Sequence, residues 1–335
     1  MRTRGIGLVL IMLALAIASG CTTPTFNPQL SIEVDHLTAA SVRLTAPFGW
    51  ATYEWTFGDG STTFGRVQEH AYEEPGEYSV SVKALDLDGQ AAFAHRTITV
   101  YRDIYVFEDE QAEEDQPTTR IQPALDAAVD GDWVFIQGSH RENVTIDKAI
   151  TVVGPCTLTS LTAAPAVRVR VDGVRLTGIS FVGGMHEATA GGGIHIDAVD
   201  ALIENCTFED HSGSTGGAVY LMESTARFAG CTFTDNDADI DGGAVYCEGD
   251  EAFPAFEACT FIENRAEVGA GLAARATTLA SLDATALRVE SCVFTGNVAS
   301  GALVGGAIHV GLSVRAILSD DNVFSGNGPI DVVFE

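Results

Sequence analysis

The chain has 335 residues, a formal net charge of -28 at neutral pH, and few aromatics among many Gly, Ala, Val and Thr. Such a length exceeds one ordinary core and indicates two domains or an elongated repeat structure, in a composition that suits strands and tight turns better than helices. An excess of carboxylates this large excludes nucleic acid as a partner, because phosphate binding needs basic patches.

Residues 1–20 carry the basic start Met1-Arg-Thr-Arg4, an apolar run from Ile6 to Ile17, and then Ala18-Ser19-Gly20 before Cys21. This order marks a secretory signal, and the apolar run is too short to span a membrane. Its small-small-Cys ending resembles the lipobox of prokaryotic lipoproteins, with Ala18 where Leu is usual. The resemblance implies lipidation of Cys21, a short tether over 21–27, and export to the cell surface or outer membrane by a lipid anchor. Only Lys83 and Lys148 are lysines, a balance that fits a high-salt or GC-rich source.

Residues 28–101 alternate apolar and polar side chains in short runs such as Ser41-Val-Arg-Leu-Thr45 and Tyr78-Ser-Val-Ser-Val82. About seven such strands separated by turn signals predict a β-sandwich of immunoglobulin-like type. Within it stand Tyr53-Glu-Trp-Thr-Phe-Gly-Asp-Gly-Ser61, His70-Ala-Tyr72, Pro75-Gly-Glu-Tyr78 and Asp86-Leu-Asp-Gly89. In order and spacing these resemble the polycystic kidney disease (PKD) domain, which implies a non-catalytic spacer or adhesive module. Trp55 and Phe57 are expected in the core, and Gly58-Asp-Gly60 as a turn with positive φ. Residues 102–118, with the run Glu108 to Asp115, read as a self-repelling acidic linker.

Residues 119–335 repeat internally. Asn205-Cys-Thr-Phe208, Gly230-Cys-Thr-Phe233, Ala258-Cys-Thr-Phe261 and Ser291-Cys-Val-Phe294 recur, and Asp321-Asn-Val-Phe324 replaces Cys by Asn. Three residues after Phe come Asn236, Asn264, Asn297 and Asn327, with His211 in the first copy. Glycine-rich segments such as Gly216-Gly-Ala-Val219 and Gly305-Gly-Ala-Ile308 lie between the copies. Units too small to bury a face alone must stack, and short strands with turns make the stack a single-stranded parallel β-helix. The copies resemble the repeats of chlamydial polymorphic outer-membrane proteins. Together with Thr119-Arg-Ile-Gln-Pro-Ala-Leu-Asp-Ala-Ala128 and Gly131-Asp-Trp-Val-Phe-Ile136, they resemble the pectin-lyase-like superfamily, which implies a right-handed helix with an amphipathic N-terminal cap. The fold class expected is thus all-β, a sandwich followed by a β-helix.

Strand parity sorts the columns. Cys206, Cys231, Cys259 and Cys292, with Phe208, Phe233, Phe261 and Phe294, are expected inward as a structural ladder beside the asparagines. His195, Tyr220, Tyr246, Ala273 and His309 are expected outward, and this aromatic and imidazole stripe is the candidate surface for a polysaccharide or a surface protein. Asp210, Asp235 and Glu263 fall in one column of consecutive coils, either as solvated turn residues, as a calcium site, or as the acid and base of a polysaccharide hydrolase or lyase. Otherwise no cofactor is expected. Arg227, Arg265, Arg275 and Arg288 fall outside the repeat register. The favoured reading is a non-catalytic surface lipoprotein presenting its β-helix for adhesion or glycan and protein contact; the alternatives are a polysaccharide-degrading enzyme and a structural envelope component.

Overall fold

The computed structural model describes residues 29–107, 121–183, 191–197, 200–250, 252–276, 286–301 and 304–335; Cys21, residues 1–20 and the acidic run after Phe107 lie outside the described residues. Two compact units are present, Met1–Val100 and Tyr101–Glu335.

The first unit is an antiparallel sandwich. Glu33–His36, Ser41–Thr45 and Val67–Ala71 form one sheet, and Thr62–Phe64, Thr52–Thr56, Gly76–Leu85 and Ala91–Val100 form the other. Alternation puts Val42, Leu44, Trp55, Val80 and Val82 in the core with no exposed surface, and the Trp55 indole N–H donates to the Gly65 carbonyl at 2.7 Å. Gly58 turns with φ +89°, and a Cβ there would stand 2.9 Å from the Ser79 backbone, so only glycine fits. The Asp59 carboxylate accepts from the Ser61 amide at 2.9 Å and lies 2.6 Å from His70 Nε2. The His70 ring in turn stacks on Phe57 with centroids 3.9 Å apart. Burial pushes the Asp59 carboxyl up, but the Ser61 hydroxyl and amide and His70 outweigh it and hold it at about 2.

The second unit is a parallel β-helix of about seven coils. One coil runs through Arg227–Ala229, Thr232–Thr234, Asp237–Asp241 and Val245–Glu248. Each strand pairs in parallel register with its counterpart in the next coil, for instance Phe233 with Phe261 and Tyr220 with Tyr246. Eight strands from Val144–Ile146 to Ile330–Phe334 make one face; fifteen strands, bent within the coils, make the longest sheet, and four short strands close the section. Helix Ile121–Ala127 packs Ile121 and Leu125 against the core at the N-terminal end. Its first two amides donate to the Glu142 carboxylate, 3.0 Å each. The linker read over 102–118 starts too early. Asp103–Val106 is already a strand, paired with Trp133–Ile136, because Ile104 and Val106 add their side chains to the core of the helix.

Rows of identical side chains fill this core. Phe181, Phe208, Phe233, Phe261, Phe294 and Phe324 stack at 4.5–5.3 Å between centroids and nearly parallel, each pair contributing about 0.5–1.5 kcal/mol beyond its burial. Cys156, Cys206, Cys231, Cys259 and Cys292 are buried and unpaired, as is Cys247 in another row. Burial pushes the Cys156 and Cys206 thiols up to about 12, so they remain protonated packing groups. Asn322, in the last coil, takes over the sulfur's role by accepting from the Cys292 amide at 2.8 Å, as Cys292 Sγ does from Cys259.

The asparagine row is a hydrogen-bonded chain. Asn236 Nδ2 donates to Asn264 Oδ1, Asn264 to Asn297 and Asn297 to Asn327, at 2.8–2.9 Å. The second hydrogen of each Nδ2 goes to the phenylalanine carbonyl of the preceding coil, Phe208, Phe233, Phe261 and Phe294 in turn. Each Oδ1 also accepts the backbone N–H one coil earlier, beginning with His211. Every polar atom of a fully buried amide is thereby satisfied, which is the condition for placing one in a core.

Arg227 and Arg288 prove to share one outward column, through Arg227, Ala255, Arg288 and Ile317, with Arg175 two coils earlier. Unequal turn lengths hide this register in the sequence.

Two outcomes follow from these networks. Asn264→Ala leaves the Phe233 carbonyl, the Asn236 amide N–H and one Asn236 Nδ2 hydrogen without partners, so urea unfolding followed by circular dichroism should show a loss of about 3 kcal/mol or more, against about 1 kcal/mol for Asn327→Ala at the partly exposed end. For Asp59, a folded-state value below the unfolded one means stability that is present above about pH 4 and lost as pH falls towards 2. Asp59→Asn should destabilise the first domain at neutral pH and flatten that acid limb, read by the fluorescence of buried Trp55.

Candidate functional site

The turn carboxylates share one backbone geometry. Asp210, Asp235 and Glu263 have φ of 58°, 53° and 53°, and the same column holds Gly183, Gly296 and Gly326 at 63°, 67° and 67°. Strand pairing fixes the equivalence, since Glu209, Thr234, Ile262 and Thr295, the residues just before, stand in one register. What recurs is a left-handed corner that delivers the following asparagine inward; glycine suits it, and Asp tolerates it better than most side chains. Asp235 lies 3.7 Å from Arg265 in the next coil. Among the described residues no three His, Cys, Asp or Glu are placed to hold a metal ion.

The stripe on the eight-stranded face is in register as Arg168, His195, Tyr220, Tyr246, Ala273 and His309. His195 meets Tyr220 edge-on at 4.8 Å, and Tyr220 meets Tyr246 at 5.6 Å. The expected exposure fails towards the C-terminal end: His195 and Tyr220 are half-buried, but Tyr246, Ala273 and His309 are buried. The glycine corner of each coil folds against the outward residue of the next, at half-buried Tyr220 as well as at the buried positions. A Cβ on Gly216 would stand 3.2 Å from Tyr246 Cβ, and one on Gly269 would stand 3.0 Å from His309 Cβ. Glu335 reaches over His309, with Oε1 3.2 Å from Nε2.

A second outward column, two residues further along each strand, carries the charges that sequence reasoning missed. Asp197 Oδ1 lies 2.7 Å from His195 Nε2, and Arg168 Nε donates to Asp197 Oδ2 at 2.7 Å. The Tyr220 hydroxyl donates to Glu248 Oε2 at 2.8 Å, and Arg275 donates to the buried Asp241 at 2.8 Å. Parity was the available signal, because Asp197 and Glu248 alternate with His195 and Tyr246 and so face the same way. Burial lifts the Asp197 carboxyl, but Arg168, His195 and Arg170 reverse the effect and hold it below its ordinary value. Tyr220 and Tyr246 are pushed well above the usual phenol range, by burial first and then by Glu248. The phenols therefore stay neutral and Asp197 stays ionised: fixed donors and acceptors beside ring surfaces, an arrangement suited to holding a polar ligand.

Residues 134–327 match the right-handed beta helix region family, more than half of the chain. The chain belongs to the right-handed beta helix family. Residues 26–100 match the PKD domain. The first domain is similar to the PKD1 domain of the Vibrio cholerae metalloprotease PrtV, at 23% identity over 22% of this chain and 98% of that one, with a TM-score of 0.20. It is also similar to the PKD1 domain of Vibrio anguillarum Epp, at 25% identity over 22% of this chain and 95% of that one, again with a TM-score of 0.20. Within the beta helix, the aromatic stripe with its carboxylate column is the constellation that brings several functional groups together; the turn carboxylates form a geometric row.

If the turn column serves the backbone, Glu263→Gly should keep or raise stability, by up to about 1 kcal/mol through relief of left-handed strain. Glu263→Val should lower it. Thermal melts with and without calcium should superimpose for the parent and for both variants; a calcium-dependent rise in the parent that Glu263→Gly abolishes would restore the metal site.

Proposed function

We propose that this chain is an exported, lipid-anchored surface protein whose PKD domain acts as a spacer and whose beta helix binds an extracellular glycan or protein, without catalysis. The lipobox-like ending at Cys21 supports the anchor, and the likeness of the repeats to those of chlamydial polymorphic outer-membrane proteins, within a pectin-lyase-like architecture, supports adhesion. The observation that carries binding is the half-buried pair His195 and Tyr220, with Asp197 and Glu248 alongside at hydrogen-bonding distance. Rings with fixed carboxylates beside them suit the apolar faces and hydroxyls of sugars and equally a loop of a surface protein. The hydrolase or lyase alternative rests on Asp210, Asp235 and Glu263, whose column shares its left-handed φ with glycines.

The test is a glycan and matrix-protein array probed with the intact chain and with Tyr220→Ala. Removing a half-buried ring and its hydroxyl should weaken the strongest binding about tenfold or more, as loss of a stacking anchor does. Equal binding by both proteins would remove the stripe from the function, and release of new sugar ends from any bound glycan would establish the enzymatic alternative.

A further inference from the structure

The outer face of the fifteen-stranded sheet carries staggered arginines and glutamates, and one of these arginines lacks a carboxylate in the next coil. Arg175, Leu202, Arg227, Ala255, Arg288 and Ile317 form one column, and Thr177, Glu204, Ala229, Glu257 and Glu290 form the column two residues along. Arginine and glutamate are staggered so that each guanidinium reaches a carboxylate one coil further on. Arg175 Nε donates to Glu204 at 2.6 Å, and Arg227 pairs with Glu257. Arg288 has no such partner, because the next coil places Ser319 where a glutamate would continue the row. Among the described residues its one ion pair is with Glu290 of its own strand, at 3.5 Å. The nearby Asp321 carboxylate is already taken by the Ser291 hydroxyl and amide and by Ser319, which hold it ionised with a value of about 2.

At this break the surface opens into a cavity of about 320 Å³ lined by Thr225, Phe253, Ala255, Arg288, Arg315 and Ile317. Its floor is apolar: Phe253 is only 3% exposed, and Ala255 and Ile317 are half-buried. Its rim holds two guanidiniums, and among the described residues no carboxylate pairs with Arg315. In a chain of net charge -28, two arginines left without strong partners beside an apolar pocket are a local reversal of charge. Screening over about 8 Å in physiological salt lets that reversal act at short range in spite of the overall charge. The volume lies at the lower end for small-ligand sites, about 300–1,000 Å³. Guanidinium pairs favour planar carboxylates, which they bind through paired N–H donors.

We infer that this cavity binds a carboxylate carried on an apolar body. The carboxylate lies between Arg288 and Arg315, within reach of the Thr225 hydroxyl, and the apolar body lies on Phe253, Ala255 and Ile317. This chemistry is shared by free aromatic or branched carboxylic acids and by the C-terminal carboxylate of a peptide ending in an apolar residue. The site is separate from the stripe on the eight-stranded face and stands or falls independently of it.

Calorimetric titration of the full chain with phenylacetate tests the inference, with phenylacetamide as the uncharged match. Phenylacetate should bind saturably and more weakly as salt is raised, and phenylacetamide should bind at least about tenfold more weakly, the scale set by losing one charge-assisted contact. Arg315→Gln and Arg288→Gln, both at exposed positions, should each weaken phenylacetate about tenfold, while Arg43→Gln in the PKD domain leaves it unchanged. Equal affinity for acid and amide, no saturable binding of the acid, or affinity untouched in Arg315→Gln would overturn the site. The source is read from N-acetyl-Ala-Ala-Phe and its C-terminal amide. A peptide acid that binds more tightly than phenylacetate and loses this on amidation assigns the pocket to peptide termini. A peptide acid that binds no better assigns it to free acids. Both results keep the carboxylate site.

Discussion

Parallel hydrogen bonding between successive coils, whose register shifts only locally at bulges such as Gly213/Thr215 and Gly305/Ile308, is the constraint from which the second domain follows. It sets the spacing at which equivalent residues face each other, about 4.8 Å, and that distance is close to the stacking distance of two phenyl rings. The phenylalanine row at 4.5–5.3 Å is thus a consequence of backbone pairing before it is a cause of stability. The same spacing lets one asparagine amide reach the next at 2.8–2.9 Å. A slip of one residue would turn every inward side chain to solvent, so the rows lock the register that creates them.

Corners are the other half of the constraint. A strand of three or four residues must turn sharply without losing its pairing, and a single left-handed residue accomplishes this. Positions such as Gly230, Ala258 and Ser291, or Asp235, Glu263 and Gly296, show one geometry filled by different residues. In the glycine-rich corner the limit is space as well as φ, for a Cβ on Gly217 would lie 2.2 Å from the Gly243 carbonyl oxygen. Identity is therefore narrower where backbones touch, with Ala270 replacing the glycine at the position of Gly217 and Gly243, than where only a dihedral angle is required.

That distinction explains what was legible in the sequence. Inward rows could be read because burial, size and period agree on the same residues: Phe208, Phe233, Phe261 and Phe294 are the same side chain in the same place. The sandwich was legible for a similar reason, through the glycine turn after Phe57 and the alternation around Trp55. The exterior was less so. Alternation says that Tyr246 and His309 point outward, but how far each is covered depends on contacts from other coils, such as Glu335 over His309, which belong to no local pattern. The column joining Arg175, Arg227 and Arg288 was missed because the turns between strands differ in length, and only pairing shows which residues are equivalent. The strand at Asp103–Val106 was hidden by its position beside an acidic run whose composition dominates the segment.

In a fold built by repetition, recurrence is evidence of structural need, since every coil must solve the same problem of packing and turning. Interruptions carry the more specific information. His211 begins the asparagine row and, being almost wholly buried, has its imidazole drawn down to about 4, so that it stays neutral beside the core. It thus supplies the backbone N–H that the row needs without introducing a charge. Asn322 ends the cysteine row and still accepts the amide that a sulfur accepts elsewhere. Asn322 preserves the bond that its row requires, whereas His211 contributes its backbone N–H and its ring does not replace the side-chain bonds of an asparagine. Ser319 is different, because it removes the carboxylate that an arginine one coil earlier would meet and supplies no replacement. An uncompensated interruption costs the chain an ion pair and gains nothing in packing, so the cavity beside Arg288 and Arg315 is the interruption for which packing alone gives no account.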